Sequence, residues 1–347
     1  MTLEFLLGNK QTFLDFLNSI SEKDGIAILT HTDLDGISSA IFTQEILRNK
    51  GFQIKYLDFL EYRKEMFDNL FEKLLKENIN KIFLTDLAAD QTAPEGFAKL
   101  REKFDCLLID HHPVNYDLEN KENIIKTKTE DCAGFVLYSL GEGLFDRKKW
   151  EDLVCATLIS DVSYRKEENL EFIRKIYPEI NRENIISSEP SELSKIISSA
   201  LIYFKNNLRK VYDFVEKRNF NELNRYRKII DSEIEKSIRD FKKDADFFPK
   251  QDLYFYLGKP KYSITSIVTS LLSFEEPDKT FVYVSESDDN FFKVSARNQN
   301  GKTDMNHLMK KGISRLENAT GGGHVPAAGA RIMKKDLEKF KENILNA

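Results

Sequence analysis

Three short apolar runs, each followed at once by aspartate or histidine, constrain this chain more than any other feature. Residues 25–30 (GIAILT), 81–85 (KIFLT) and 106–109 (CLLI) are nearly continuous in apolar side chains and bounded by polar turns. Runs this short, without polar alternation, read as central parallel strands covered on both faces. Residues 53–58 form a weaker fourth candidate, and helical stretches lie near 37–50, 61–78 and 95–103. The rhythm predicts an α/β fold: an N-terminal doubly wound parallel sheet with right-handed crossovers. In such a sheet ligands bind beyond the C-terminal strand ends. His31, Asp33 and Asp35 follow the first run, Asp86 the second, and Asp110, His111 and His112 the last. Three motifs distant in sequence are therefore expected at one sheet edge.

The rest of the chain divides by pattern. Residues 166–248 are charge-rich, free of glycine, and carry apolar residues at helical spacing over 192–207 and 222–243. This is the pattern of a helical connector with solvated faces. Strand-like runs return at 252–257, 280–285 and 291–296, with helices expected near 262–273 and 304–317. We expect a metal-binding catalytic domain at 1–165, a connector at 166–248 and a smaller α/β domain at 249–347.

Charge follows the same division. The net charge of −5 conceals −9 over residues 1–165, +1 over 166–249 and +3 over 250–347. An acidic part suits cations, and a mildly basic part suits phosphates. The balance argues against a protein that grips long duplex DNA through many phosphate contacts. No apolar run approaches the ~20 residues needed to span a bilayer, and the N-terminus lacks the basic start of a signal peptide. Cys106, Cys132 and Cys155 form no CxxC and lie in apolar contexts, as expected of buried thiols in a reducing cytoplasm.

Histidine is scarce and grouped. Of five histidines, three lie in the clusters HTDLDG (31–36) and DHH (110–112), and a fourth, His324, closes Gly321, Gly322 and Gly323. In an extended segment residues i, i+2 and i+4 share one side, so His31, Asp33 and Asp35 could aim at one point. Asp86 could bridge two ions, and Asp161, after the apolar residues 154–159, could complete the set. Four carboxylates balance two divalent cations. Imidazole and carboxylate without thiolate suit Mn²⁺ first, with Mg²⁺, Co²⁺ or Zn²⁺ as alternatives. Two ions about 3.5–4 Å apart promote in-line attack on phosphorus. Taken singly, Asp90 reads as a turn or cap residue and His307 as structural or peripheral.

Together the segments THTDLDGISS (30–39), LTD (84–86), IDHHP (109–113) and ISD (159–161) resemble the motifs of the DHH phosphoesterases. The segment GGGHVPAAGA (321–330) is similar to the glycine-rich signature of the DHH-associated C-terminal domain. The resemblance implies that His31, Asp33 and Asp86 hold one metal ion, and Asp35, Asp86, His111 and Asp161 the other. It further implies that Asp110 orients His111 and that His112 meets the scissile phosphate or protonates the leaving oxygen. Arg297 and the loop Gly321, Gly322, Gly323 and His324 would bind substrate, with backbone N–H groups of the glycines near a phosphate. Members that cleave short oligonucleotides and cyclic dinucleotides often carry a longer first motif, His-x-x-Pro-Asp-Gly-Asp. The tighter spacing here is closer to RecJ-like exonucleases, although the chain is shorter than full bacterial RecJ.

The expected activity is exonucleolytic release of nucleoside monophosphates from single-stranded DNA or short oligonucleotides. The alternatives are a small-nucleotide phosphatase acting on 3′-phosphoadenosine 5′-phosphate or a cyclic dinucleotide, a pyrophosphatase or polyphosphatase, and a non-catalytic replication-associated binding module. The expected partners are single-stranded nucleic acid, an oligonucleotide or a small nucleotide, with no membrane. A homodimer is left open.

Overall fold

The computed structural model describes residues 3–118, 121–287 and 290–347, in two compact units, residues 1–227 and 228–347. The first unit begins β1 (Phe5–Leu7), α1 (Lys10–Asn18), β2 (Ile26–His31), α2 (Leu34–Asn49), β3 (Ile54–Leu60), α3 (Phe71–Lys76) and β4 (Lys81–Thr85). It continues with α4 (Ala89–Thr92), α5 (Pro94–Lys103), β5 (Asp105–Asp110), β6 (Ile124–Thr127), α6 (Ala133–Leu140) and α7 (Glu151–Ser160). Helices α8 (Glu167–Ile176), α9 (Glu189–Tyr203) and α10 (Leu208–Glu216) follow, and α11 (Phe220–Asp244) runs across the division between the units.

The strand order is β1-β6-β5-β4-β2-β3, parallel throughout except for the antiparallel pair β1 and β6. From β2 the chain first steps outward to β3, then returns to build β4 and β5 on the other side. The reversal places a topological switch point between β2 and β4, where the loops after the two strands diverge and leave a crevice. Alternate strand residues serve opposite faces. Ile26 and Ile28 of β2, with Phe83, Leu107 and Ile109, join one buried cluster; Ala27 and Leu29, with Ile82, Leu84 and Leu108, join the other. Burial on both faces explains why these strands read as continuous apolar runs. Helix α2 is buried over nearly its whole circumference, and Phe42 at its centre packs against Tyr138, Phe145 and Trp150. Leu170, Ile173, Leu193, Ile197, Val211 and Leu223, from the charge-rich helical stretch, also belong to this core.

The stretch expected to be helical over 61–78 is helical only at α3. Before it the backbone closes turn after turn over three residues, Arg63 O to Met66 N, Glu65 O to Asp68 N and Phe67 O to Leu70 N. That path buries Met66, Phe67 and Leu70 while leaving Tyr62 partly exposed.

The second unit comprises β7 (Asp246–Phe248), β8 (Leu253–Gly258), α12 (Thr265–Glu275), β9 (Thr280–Glu286), β10 (Phe291–Arg297), α13 (Met305–Gly312), β11 (Thr320–Gly323), β12 (Ala327–Met333) and α14 (Leu337–Leu345). Its sheet has the order β11-β12-β10-β9-β8-β7, with only β8 and β9 parallel. Phe292, Val294, Ala330 and Ile332 pack with Met309 of α13 and Phe340 of α14. On the opposite face Thr269 of α12 and Ser295 of β10 share a 3.0 Å hydrogen bond. Among the described residues no helix is long and apolar enough to cross a membrane.

Phe42 is fully buried, and its aromatic neighbours cannot collapse into the space it fills. Phe42→Ala is expected to destabilise the first unit by about 3–5 kcal/mol, read from the midpoint of denaturant unfolding at unchanged slope; a loss below about 1 kcal/mol would contradict this packing.

Candidate metal centre

The centre is assembled where strands end and helices begin. His31 is the last residue of β2, Asp33 is the N-cap of α2, and Asp35 lies in its first turn. Asp33 accepts a 3.0 Å hydrogen bond from Gly36 N, the usual way an N-cap satisfies a free helical N–H. These three residues were expected to project from one extended segment. Instead the strand-to-helix turn brings them round, and Gly36 allows it: a Cβ there would stand 2.2 Å from the His31 carbonyl oxygen. Asp86 directly follows β4 at φ 54°, a left-handed conformation that Asp tolerates better than most residues. Its N–H donates to Ile109 O across the sheet at 3.0 Å. Asp110 ends β5, followed by His111 and His112, whereas Asp161 arrives from the C-terminal end of α7.

Asp86 stands between two sets of histidine and aspartate side chains. His31 Nδ1 lies 2.9 Å from Asp33 Oδ2 and 3.6 Å from Asp86 Oδ2. The other Asp86 oxygen, Oδ1, lies 3.5 Å from His111 Nε2, with Asp35 Oδ2 3.8 Å from the same nitrogen. Asp161 Oδ2 is 3.9 Å from His111 Nδ1. Asp35 is seated by the N-terminus of α6, where Ala133 N and Gly134 N donate to its two oxygens at 2.8 and 2.7 Å. Free N–H groups and the helix dipole both favour a carboxylate there.

So many carboxylates in one buried place oppose one another's ionisation. Burial, and then the charge of Asp86, raises the Asp35 carboxyl well above its usual range. Burial, and then Asp35, pushes Asp161 up to about 7. Burial and the neighbouring Asp33 charge raise Asp86 in the same sense. For the histidines burial works downward, but the carboxylates outweigh it. His31, facing Asp33 and Asp86, rises to about 10, and His111, facing Asp86, Asp35 and Asp161, to about 11. The cluster is short of positive charge.

Divalent ions fit this set. His31 Nδ1, His111 Nδ1 and Asp86 Oδ2 are buried yet make no hydrogen bond. Buried polar atoms seldom stay unpartnered, and atoms that converge without bonding to one another are what a coordinated ion requires. His31, Asp33 and Asp86 lie within ligating reach of one point, and Asp86 with His111 of another. Asp110 and His112 fall within the second group by distance, but both Asp110 oxygens are engaged: Oδ1 with His112 Nδ1 at 2.7 Å, Oδ2 with Lys126 Nζ at 2.6 Å.

That pairing corrects one expectation, because Asp110 orients His112 rather than His111. Burial works against ionisation of Asp110, but His112 and Lys126 outweigh it and hold its carboxyl well below the usual range. A second correction concerns Asp90. Expected as a turn or cap residue, it is instead buried on α4 with Oδ1 2.7 Å from Lys126 Nζ. Tyr62 was not anticipated at all. Its ring stacks on His31 at 4.0 Å between centroids, and its hydroxyl lies 3.1 Å from Asp86 O and 3.2 Å from His112 Nε2. No motif surrounds Tyr62, Gly134 or Lys126 in sequence; only folding brings them to the centre.

In the second unit Arg297 ends β10. It donates to Ser266 Oγ at 2.8 Å, Ser270 Oγ at 3.1 Å and Ala296 O at 2.9 Å, and no carboxylate pairs with it among the described residues. Gly321, Gly322 and Gly323 were expected to form a phosphate-cradling loop. They form instead the edge strand β11, paired antiparallel with β12. His324 begins the turn to β12, its N–H donating to Ala327 O at 2.8 Å. Gly323 needs to be glycine, since at φ 150° a Cβ would meet Ala327 O at 2.5 Å. Gly321 and Gly322 line a groove of about 520 Å³ with Lys293, Thr320, Gly329 and Arg331. His307 caps nothing itself; it receives the Asp304 cap at the start of α13.

Residues 25–180 match the model of the DHH family N-terminal domain, and residues 253–347 that of the DHHA1 domain. No curated protein matches the chain. Among solved structures it is similar to exonuclease RecJ bound to manganese, with a TM-score of 0.71 at 16% identity over 99% of this chain and 94% of that one. RecJ from Thermus thermophilus in complex with Mn²⁺ gives 0.71 at 16% identity over 96% of this chain, which spans only 53% of that protein. CDC45 from Entamoeba histolytica gives 0.62 at 10% identity over 98% and 99% of the two chains. At such identities these likenesses establish the fold.

A Cβ on Gly134 would stand 2.9 Å from Asp35 Oδ1 and 3.2 Å from Ser38 Cβ and Thr157 Cγ2. Gly134→Ala is therefore expected to displace the Asp35 carboxylate and weaken Mn²⁺ binding by ~10–100-fold, measured by titration; unchanged affinity would mean that Asp35 does not need its seat. Metal uptake must also displace the protons carried by His31 and His111. Because both pKa values lie above neutrality, affinity should rise with pH between about 6 and 8, by up to about tenfold per unit for each proton displaced. Calorimetry in buffers of differing ionisation enthalpy reads the released protons directly, and a proton-neutral binding heat would contradict the assignment.

Proposed function

Because the chain belongs to the DHH family, with an N-terminal DHH domain and a C-terminal DHHA1 domain, we propose that it is a two-metal phosphodiesterase acting as an exonuclease. Members of the family are generally metal-dependent phosphoesterases. The substrate in this reading is single-stranded DNA or a short oligonucleotide, and the product a nucleoside monophosphate. One observation carries the reading: Asp86 presents its two oxygens to two separate sets of histidine and aspartate at the switch point of the sheet. A single carboxylate so placed suits a pair of ions sharing one ligand. The structural likeness to exonuclease RecJ, itself bound to manganese, supports the choice of reaction and of Mn²⁺, and the RecJ complex with Mg²⁺ supports Mg²⁺ as the alternative.

In this reading His31, Asp33 and Asp86 hold one ion, and Asp35, Asp86, His111 and Asp161 the other. Bound there, the pair supplies Lewis acidity toward a phosphoester and lowers the pKa of water. The protein's own residues do the rest. His112, its Nδ1 fixed by Asp110 and its Nε2 beside the Tyr62 hydroxyl, would meet a phosphate oxygen or give a proton to the leaving oxygen. Arg297 offers a fixed cation, with no carboxylate partner among the described residues, to a substrate phosphate. Residues 321–324 offer a glycine edge along which a nucleotide can approach closely. The domain at 1–165 performs the chemistry and that at 249–347 binds substrate.

The test is a matched panel of a 2-mer, a 5-mer and a 20-mer in DNA and RNA, 3′-phosphoadenosine 5′-phosphate, a cyclic dinucleotide and pyrophosphate, with Mn²⁺ and product identification. Mononucleotides released from the 20-mer are expected, with a closed circle of the same sequence resistant. Asp86→Asn is expected to lower turnover by at least ~10³-fold while the protein still folds. Release of inorganic phosphate alone, or cleavage of the circle at the linear rate, would overturn the exonuclease reading.

A further inference from the structure

Lys126 is a buried charge outside the candidate metal ligands. It lies on β6, the strand beside β5, and is fully buried. Its ammonium is 2.6 Å from Asp110 Oδ2 and 2.7 Å from Asp90 Oδ1, the latter an ion-pair contact off the hydrogen-bond direction. Nζ also donates to two consecutive main-chain oxygens, His112 O at 3.3 Å and Pro113 O at 3.2 Å. Asp90 grips the same segment slightly further on: Oδ2 accepts from Asn115 N at 3.0 Å, and Asp90 O accepts from Asn115 Nδ2 at 2.8 Å.

His112 is therefore held twice. Its ring is fixed through Asp110, whose other oxygen belongs to Lys126, and its backbone is fixed through its own carbonyl, again by Lys126. The following residues, to Asn115, are tied down by Lys126 and Asp90. Stability alone does not account for such an arrangement. Each buried ion costs several kcal/mol to desolvate, and well-packed apolar replacements are often as stable or more so. What a buried, fully engaged cation contributes is a single geometry.

We propose that Lys126, backed by Asp90, is a positioning residue that sets the His112 imidazole for its contact with the phosphoester. The proposal rests on the phosphoester-hydrolysis reading above. Lys126 touches no substrate in this account; it acts through Asp110 and the main chain of residues 112–113.

The test uses the full chain carrying the double substitution Lys126→Met and Asp90→Asn, which removes one charge of each sign and leaves Asp110 paired with His112 alone. The double variant is expected to melt below the parent temperature, since Asp110 loses one partner, but to remain folded and to bind Mn²⁺ with parent affinity. Its kcat should fall ~10–100-fold, as for partners lying behind a site residue, with KM changed by less than about threefold. In an Asp110→Asn background the same pair should cost less than it does in the parent, because only the main-chain route to His112 then remains to be cut. A readout independent of turnover comes from ¹⁵N-histidine labelling, practicable with five histidines in the chain. The His112 Nδ1–H proton, assigned by its disappearance in His112→Asn, should be protected in the parent and exchange-broadened in the double variant.

Parent kcat and an unchanged His112 signal in the double variant would overturn the proposal. If the double variant fails to fold, Asp90→Asn alone carries the test, with a ~10-fold fall in kcat expected and an unchanged kcat and His112 signal overturning it. A parent protein inactive on every phosphoester, but showing the His112 signal and its loss, would remove the hydrolytic reading and leave the positioning role standing.

Discussion

The Asp86 carboxylate, placed between two sets of histidine and aspartate side chains, is the constraint on which the centre depends. It can serve both sets because β4 ends beside β2 on one side and β5 on the other. The residue after β4 then turns into the left-handed region, its N–H pinned to Ile109. A conformation of that kind costs about 1–3 kcal/mol for most residues, and aspartate bears it more easily than a branched or bulky side chain. The sheet therefore does two things. Its parallel strands bring His31, Asp86 and His111 to one edge, and its switch point keeps the space above Asp86 free of a crossing connection.

Each member of the cluster is held from behind by a different kind of support. Asp35 is seated on the N-terminus of α6, His31 lies against the ring of Tyr62, and Asp110 is paired with a buried lysine. The supports differ because their tasks differ. A carboxylate expected to ligate needs its outward lone pairs free, so backbone N–H groups hold it from one side. A carboxylate that orients an imidazole can be saturated, and Asp110 is. The resulting cluster is electrostatically frustrated: the carboxylates repel one another, and protons on His31 and His111 only partly relieve this. Divalent cations answer that imbalance, which links folding, proton release and metal uptake through the same few atoms.

The second unit solves a different problem. Arg297 has its N–H groups spread over two serines of α12 and the adjacent backbone, which stiffens the guanidinium without neutralising it. The glycine run is an edge strand rather than a loop, and of its three residues Gly323 is the one that local sterics require. A Cβ on Gly322 would meet only ordinary contact, and one on Gly321 would ask its neighbours to give slightly. Their lack of side chains keeps the groove beside Lys293 and Arg331 open.

How much of this could be read in advance follows from the range of the interactions. The parallel strands were legible because burial on both faces leaves a continuous apolar run, a property of a few adjacent residues. Asp86, His111 and Asp161 were legible for a related reason, since each closely follows an apolar element. The helical reading of 61–70 failed because turns and helices share apolar spacing, and only packing decides between them. The extended reading of 31–35 failed because Asp33 can equally cap a helix. Tyr62, Gly134 and Lys126 left no local trace: their partners lie on other strands and helices, at distances along the chain that pattern does not span. The sequence by itself determined the strand rhythm, the charge division and the identity of the groups able to hold cations, since these are properties of neighbouring residues. Only the tertiary structure decided which carboxylate is shared, which is saturated and which histidine Asp110 holds, because those depend on contacts between segments that meet only when the sheet is formed.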